Sequence, residues 1–118
     1  MKLKLLLVVL LMFSFFGFAQ NNNQTSIIEV DGVCGMCKSR IEKACIKTKG
    51  VKMANWNVET HQLKVIYNEN KTDLDVIKSN IASVGHDTDS HKATEEAYMS
   101  VHQCCRYRDS KITDEHKN

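Results

Sequence analysis

Apolar positions along this chain alternate, then recur at helical spacing, then alternate again, and each change of period predicts an element. Over Ser26 to Val33, Ile28 and Val30 alternate with Glu29 and Asp31, the pattern of a half-buried strand. Cys37, Ile41, Ala44 and Cys45 then recur on one helical face, with Lys38, Arg40, Glu42 and Lys43 on the other, until Gly50 stops the helix. Two alternating runs follow: Val51 to Val58 through Ala54, Trp56 and Val58, and His61 to Tyr67 through Leu63, Val65 and Tyr67. Glu59-Thr60 joins them as a hairpin. A second helix is expected from Thr72, whose hydroxyl and Asp75 supply the two halves of a capping box. It turns Leu74, Ile77, Ile81 and Val84 inward and ends at Gly85.

The order strand, helix, strand, strand, helix predicts a small α+β fold, a ferredoxin-like βαββαβ sandwich over 26–93 once a last strand is added. That last strand has to come from "HDTDSHKA", His86 to Ala93, which is polar enough to make at best a short edge. Thr94 is placed to cap a further helix through Tyr98 and Val101, so 94–105 reads as a short C-terminal helical extension ending in Cys104-Cys105. The Asn-rich lead at 20–25 and the charged, aperiodic run at 106–118 are expected to be disordered.

Ahead of these elements, Lys2 and Lys4 precede an apolar run from Leu5 to Phe18, and small residues stand at Gly17 and Ala19. This is the layout of a secretory signal peptide over 1–19, cleaved after Ala19, and it predicts a periplasmic or secreted protein. The run is short for a membrane span, so no membrane association is expected after cleavage. Loss of Lys2 and Lys4 takes Lys+Arg from 16 to 14 against 14 Asp+Glu. A neutral chain has no electrostatic basis for non-specific binding to nucleic acid. No Ser/His/Asp set, paired carboxylates or phosphate-cradling glycine loop stands out, so the expectation is a protein that is not an enzyme.

Five cysteines, Cys34, Cys37, Cys45, Cys104 and Cys105, are an odd number for an exported chain, so at least one lies outside any internal disulfide. Cys34 and Cys37 fall where the first strand gives way to the first helix. A loop cysteine and one in the opening helical turn converge, and the helix dipole favours their thiolates, with Lys38 and Arg40 adding positive charge. The same geometry suits a metal clamp and a redox nucleophile. A thioredoxin-like oxidoreductase requires a cis-proline beside the pair, and the chain contains no proline. A structural Cys34–Cys37 bond closes too small a loop to constrain the unfolded chain much.

The stretch "GVCGMCKSRIEKAC", the following Gly50-Val51, "NWNVE", "LKVIY" and the helix ending at Gly85 resemble the heavy-metal-associated domain of copper chaperones, of metal-exporting ATPases and of the mercuric transport periplasmic protein. The resemblance covers about residues 26 to 86. It implies a ferredoxin-like fold in which Cys34 and Cys37 bind a soft metal ion and pass it on by ligand exchange, with a membrane metal transporter or another carrier as partner. The family's G-M-T-C stands here as Asp31-Gly32-Val33-Cys34, so its buried loop methionine is missing. Zinc- and cadmium-handling members often carry Asp before the first cysteine, where this chain has Val33. Two thiolates without a fixed third ligand suit copper(I) first and mercury(II) next, and zinc, which prefers about four donors, less.

Cys45, in register with Ile41, is expected in the core as a small hydrophobe. Met36 is a docking contact, an incidental loop residue or an auxiliary sulfur ligand. His86, in the loop that lies near the metal in the resembled family, is either a third ligand or a solvated turn residue. Cys104 and Cys105, with His102 beside them, are soft ligands, disulfide partners or inert residues. Expected to fold back over the Cys34–Cys37 loop, they make the extension a companion of the first site. The function read from the sequence is an exported soft-metal carrier, chaperone or scavenger, and the alternative is a periplasmic thiol-disulfide oxidoreductase.

Overall fold

The structure, a computed structural model, describes residues 1–13 and 22–115. The elements run α1 (Lys2–Phe13), β1 (Asn23–Glu29), α2 (Gly35–Lys47), β2 (Val51–Trp56), β3 (Gln62–Asn68), α3 (Leu74–Ser83), α4 (Glu95–Met99), a 3-10 turn (Gln103–Cys105) and α5 (Ser110–Glu115). The expected cleavage point after Ala19 lies outside the described residues. Among the described residues, no helix is long and apolar enough to cross a membrane.

The sheet has the order β1-β3-β2, with β3 antiparallel to both neighbours. Ile28 faces Leu63 across one pair and Trp56 faces Leu63 across the other. Strand periodicity puts Leu63, Val65 and Tyr67 on one face of β3, where all three are buried, while Gln62 and Lys64 face water. Against that face lie Cys37, Ile41 and Cys45 of α2 and Ile77 and Ile81 of α3, closing a single core of helices over sheet. Each fully buried aliphatic side chain there contributes about 1.5–3 kcal/mol. Gly85, at φ 102°, ends α3 in the left-handed region as expected.

Four expectations are corrected. The last strand is reduced to one bridge, Val30 to Thr88, next to a bond in which the Asp31 amide donates to the Asp87 carbonyl at 2.9 Å. Asp87 and Thr88 instead turn the chain back on itself: the Asp87 carboxylate accepts from the Ala93 amide at 2.7 Å, and the Thr88 amide donates to the His91 carbonyl. Polar side chains with backbone partners close by compete with a sheet ladder. The disordered lead is shortened, because β1 starts at Asn23: pairing with β3 uses backbone groups, which polar side chains do not prevent. Asp73, and not Thr72, caps α3 by accepting from the Val76 amide at 2.9 Å, and the buried Thr72 hydroxyl has no partner. The tail is ordered from Arg106 to Glu115, because Tyr107 is buried in the core and Arg108 is ion-paired to Asp87. Residues 116–118 lie outside the described residues.

Candidate metal centre

The loop before α2 is shaped by Trp56. The fully buried indole donates from Nε1 to the Val30 carbonyl at 3.0 Å. A Cβ at Gly32 would lie 2.9 Å from the indole ring and 3.1 Å from the Cys37 Cβ, so only glycine fits. Trp56 thus occupies the space that any side chain at position 32 would need. Cys34 is the N-cap of α2, its carbonyl accepting from the Lys38 amide at 3.0 Å. Cys37 follows in the first turn and is fully buried.

The extension comes back to this loop because it is anchored at both ends of its path. Thr94 caps α4 through the Ala97 amide, as the sequence predicts, although α4 is only five residues long. Tyr98 and Val101 bury themselves against the domain. A Cβ at Gly85 would lie 2.5 Å from Val101 and 2.7 Å from the Ala97 carbonyl, so α4 docks directly on the backbone that ends α3. Beyond the cysteines, the Tyr107 hydroxyl donates to the Gly85 carbonyl at 2.8 Å and accepts from the Asp87 amide at 2.9 Å. Arg108 makes a two-point bond to the Asp87 carboxylate, donates to the Ala93 carbonyl and stacks over the Tyr98 ring at 4.3 Å. Bidentate charge-assisted contacts of this kind fix position as well as adding energy.

Cys104 and Cys105 therefore arrive over the N-terminus of α2. The Cys105 sulfur is 3.9 Å from that of Cys34 and 3.9 Å from that of Cys104, and all three sulfurs lie within 4.8 Å of one another. Cys104 Sγ is also 3.6 Å from Met36 Sδ. Cys37 stands beneath this group, its thiol directed to the Cys105 carbonyl at 3.9 Å. All five cysteines are free thiols. Burial by itself would raise the Cys34 thiol, but the amides of Cys37 and Met36 and the thiols of Cys105 and Cys37 outweigh it, and its pKa is lowered. Those amides face the sulfur without making a cap bond, so they act as helix-end dipoles. Burial, with Cys37 beside it, pushes Cys105 up to about 11. Either thiol of this pair can donate to the other.

A profile of the heavy-metal-associated domain matches residues 27–87, just over half the chain. The chain belongs to the heavy-metal-associated domain family. A copper-exporting P-type ATPase of Staphylococcus haemolyticus is 31% identical over 86 residues, 72% of this chain and 11% of that protein. The chain thus spans about a tenth of the length of that relative. Among solved structures, the CopZ metallochaperone superposes with a TM-score of 0.54 at 35% identity, covering 55% of this chain and 98% of CopZ. Oxidised MerP from Ralstonia metallidurans CH34 superposes with 0.55 at 28% identity, covering 57% and 94%. The ferredoxin-like class predicted from the sequence is that of these neighbours. The family match ends at residue 87, so the Cys104–Cys105 segment is outside it.

The remaining candidates divide. His86 is neither a solvated turn residue nor a member of the sulfur group. It is fully buried, Nδ1 donating to the Asp31 carbonyl at 2.8 Å, Nε2 accepting from Arg40 Nη1 at 3.3 Å, and its ring stacked on Tyr107. Burial dominates its titration and, with Arg40 adding to it, lowers its pKa to about 4, so it is a neutral strut. His102 is exposed and lines a groove of about 550 Å³ with Gln103, Cys104, Asp109, Lys111 and Ile112, outside the sulfur group. Cys45 is fully buried in the core as expected, and burial pushes it up to about 12. Lys38 does not lend its charge to the thiolates: its ammonium sits 2.6 Å from Glu42 and bonds to the Trp56 carbonyl. Arg40, beside Cys105, is the cation that reaches the site. The Asp87–Arg108 anchor went unseen in sequence because the two are 21 residues apart and Arg108 sits in an aperiodic charged run.

Proposed function

We propose that this protein is an exported, non-enzymatic carrier or scavenger of a soft metal ion, copper(I) before mercury(II) and with zinc disfavoured, received by Cys34 and Cys37 and handed on by ligand exchange. The observation that carries this is the lowered thiol of Cys34 at the N-cap of α2, with the Cys37 thiol beside it in the first turn. Thiolate is the form that ligates, and soft ligands select soft ions. Kinship with a copper-exporting ATPase and with the CopZ metallochaperone supports copper, and suggests a membrane metal transporter or another carrier as the exchange partner. The signal-like first residues support export.

Competition with a copper(I) chelator under reducing conditions tests the reading. Cys34→Ser in the full chain should lose high-affinity binding while the far-UV circular dichroism is unchanged, since Cys34 is only half-buried. Unchanged affinity sinks the assignment. Thiol-dependent oxidation of a reduced, unfolded protein by the wild type, abolished in the same variant, would favour the oxidoreductase instead.

A further inference from the structure

We propose that Cys34, Cys104 and Cys105 form a three-thiolate site for a soft ion, built by the extension above the Cys34–Cys37 pair, with Cys34 common to both. This rests on the reading that Cys34 is a metal ligand. Two of the three sulfur separations are 3.9 Å and the third is within 4.8 Å. With two sides of 3.9 Å and a third no longer than 4.8 Å, the point equidistant from the three sulfurs lies at most about 2.5 Å from each, close to the roughly 2.3 Å of a metal–thiolate bond. Cys37 is not in this group: it is fully buried, and its thiol is directed at the Cys105 carbonyl. Met36 Sδ, 3.6 Å from Cys104, offers a thioether at the rim. Cys104 also borders the groove lined by His102 and Ile112.

The chemistry needs no redox partner. Each thiol that binds releases its proton to solvent, and copper(I) keeps its oxidation state. An ion entering at Cys34 and Cys37 passes to Cys105 and then Cys104 while Cys34 holds it throughout, and Cys37 takes up a proton as its bond to the ion breaks. Once there, it lies under a segment fastened by Tyr107 and by Arg108 on Asp87. Release to a partner requires that segment to lift, so the extension converts an open transfer site into a retaining one.

The test is X-ray absorption of the full, reduced chain carrying one equivalent of copper(I), read together with chelator competition. The expected result is three sulfur neighbours in the wild type and in Cys37→Ser. Cys104→Ser, at a half-buried position, should drop to two sulfurs and bind about 100-fold or more weakly, at or beyond the upper end of the loss seen when a supporting residue outside the ligand set is removed. Cys105→Ser replaces a fully buried thiol, so its fold is checked by circular dichroism before its affinity is read. Two sulfurs in the wild type, unaltered in Cys104→Ser but lost in Cys34→Ser, would overturn the three-thiolate site and leave the Cys34–Cys37 carrier standing. Loss of the third sulfur in Cys37→Ser, once circular dichroism has shown that this core substitution leaves the fold intact, would also overturn it. No competition for copper(I) by any form would remove both.

Discussion

The two cysteine-bearing segments meet at one point but are held there by different physics. The Cys34–Cys37 loop rests on the apolar core: Trp56 fills the space under Gly32, and Cys37 is itself a core residue beside Ile41. The Cys104–Cys105 segment shares that core through Tyr98, Val101 and Tyr107, and adds polar fastenings that the loop lacks: the Asp87–Arg108 pair and the Tyr107 hydroxyl between Gly85 and Asp87. Apolar packing is lost only with the fold, whereas ion pairs and hydrogen bonds respond to protons and salt. The lower half of the site is therefore as stable as the domain, and the upper half carries in addition a polar latch that protons and salt can weaken.

Trp56→Ala should show the largest effect. It removes the indole from under Gly32 and leaves the Val30 carbonyl without its donor, for a loss of about 3–5 kcal/mol in denaturant unfolding. A cost near that of a surface substitution would break the claim that the core supports the loop.

The joint between the regions is His86, which touches Asp31 of the loop, Arg40 of α2 and Tyr107 of the extension. Its folded pKa of about 4 lies below the unfolded value of 6.5, so the folded state binds fewer protons between them. Its contribution is complete above pH 6.5 and is lost as the pH falls from there to about 4, a total of about 3 kcal/mol. Unfolding measured across that window should be shallower in His86→Gln than in the wild type. Asp87, whose pKa is lowered by Arg108 and the Ala93 amide against the opposing effect of burial, loses its contribution further down, as the pH falls through its depressed folded value.

Arg108→Gln tests the latch itself, with an expected cost of about 1.5–3 kcal/mol for charge-assisted bonds to a carboxylate that is nearly buried. Amide exchange should quicken over residues 94–108 and stay slow in β3 and α2. Uniform acceleration would mean that the two regions unfold as one. The smallest effect is expected from Cys45→Ala, a small cavity remote from the site, at about 1 kcal/mol with copper(I) stoichiometry unchanged.

The part of this arrangement that was legible in sequence is the part that repeats. Ile41, Ile77, Ile81, Leu63 and Val65 follow helix and strand periods, so the elements and the core could be read directly, as could the placement of Cys37 and Cys45 on the buried face of α2. The return of Cys104 and Cys105 to the loop was anticipated by measuring the path of the chain, but its fastening was not. Tyr107 and Arg108 lie in a run whose charge suggests solvent, and nothing local marks Asp87 as the partner of Arg108. The same blindness applied to His86, where polarity suggested either a ligand or an exposed turn while tertiary contacts enclosed both ring nitrogens. Polar pairing across long separations leaves no period to detect.

The single bridge at Thr88 also bears on how the molecule behaves among copies of itself. Residues 86–93 are committed to the turn that receives Arg108, so among the described residues β1 has β3 as its one strand partner and only Val30 is bridged on the other side. Alternate amides and carbonyls from Gln24 to Ile28 thus face outward as a template to which a foreign strand could add. The polar Gln24, Thr25 and Ser26 blunt that edge, and Ile27, 57% exposed, is its apolar exception. Ile27→Lys would charge the outer edge without touching the core, and should raise the concentration at which the protein begins to self-associate.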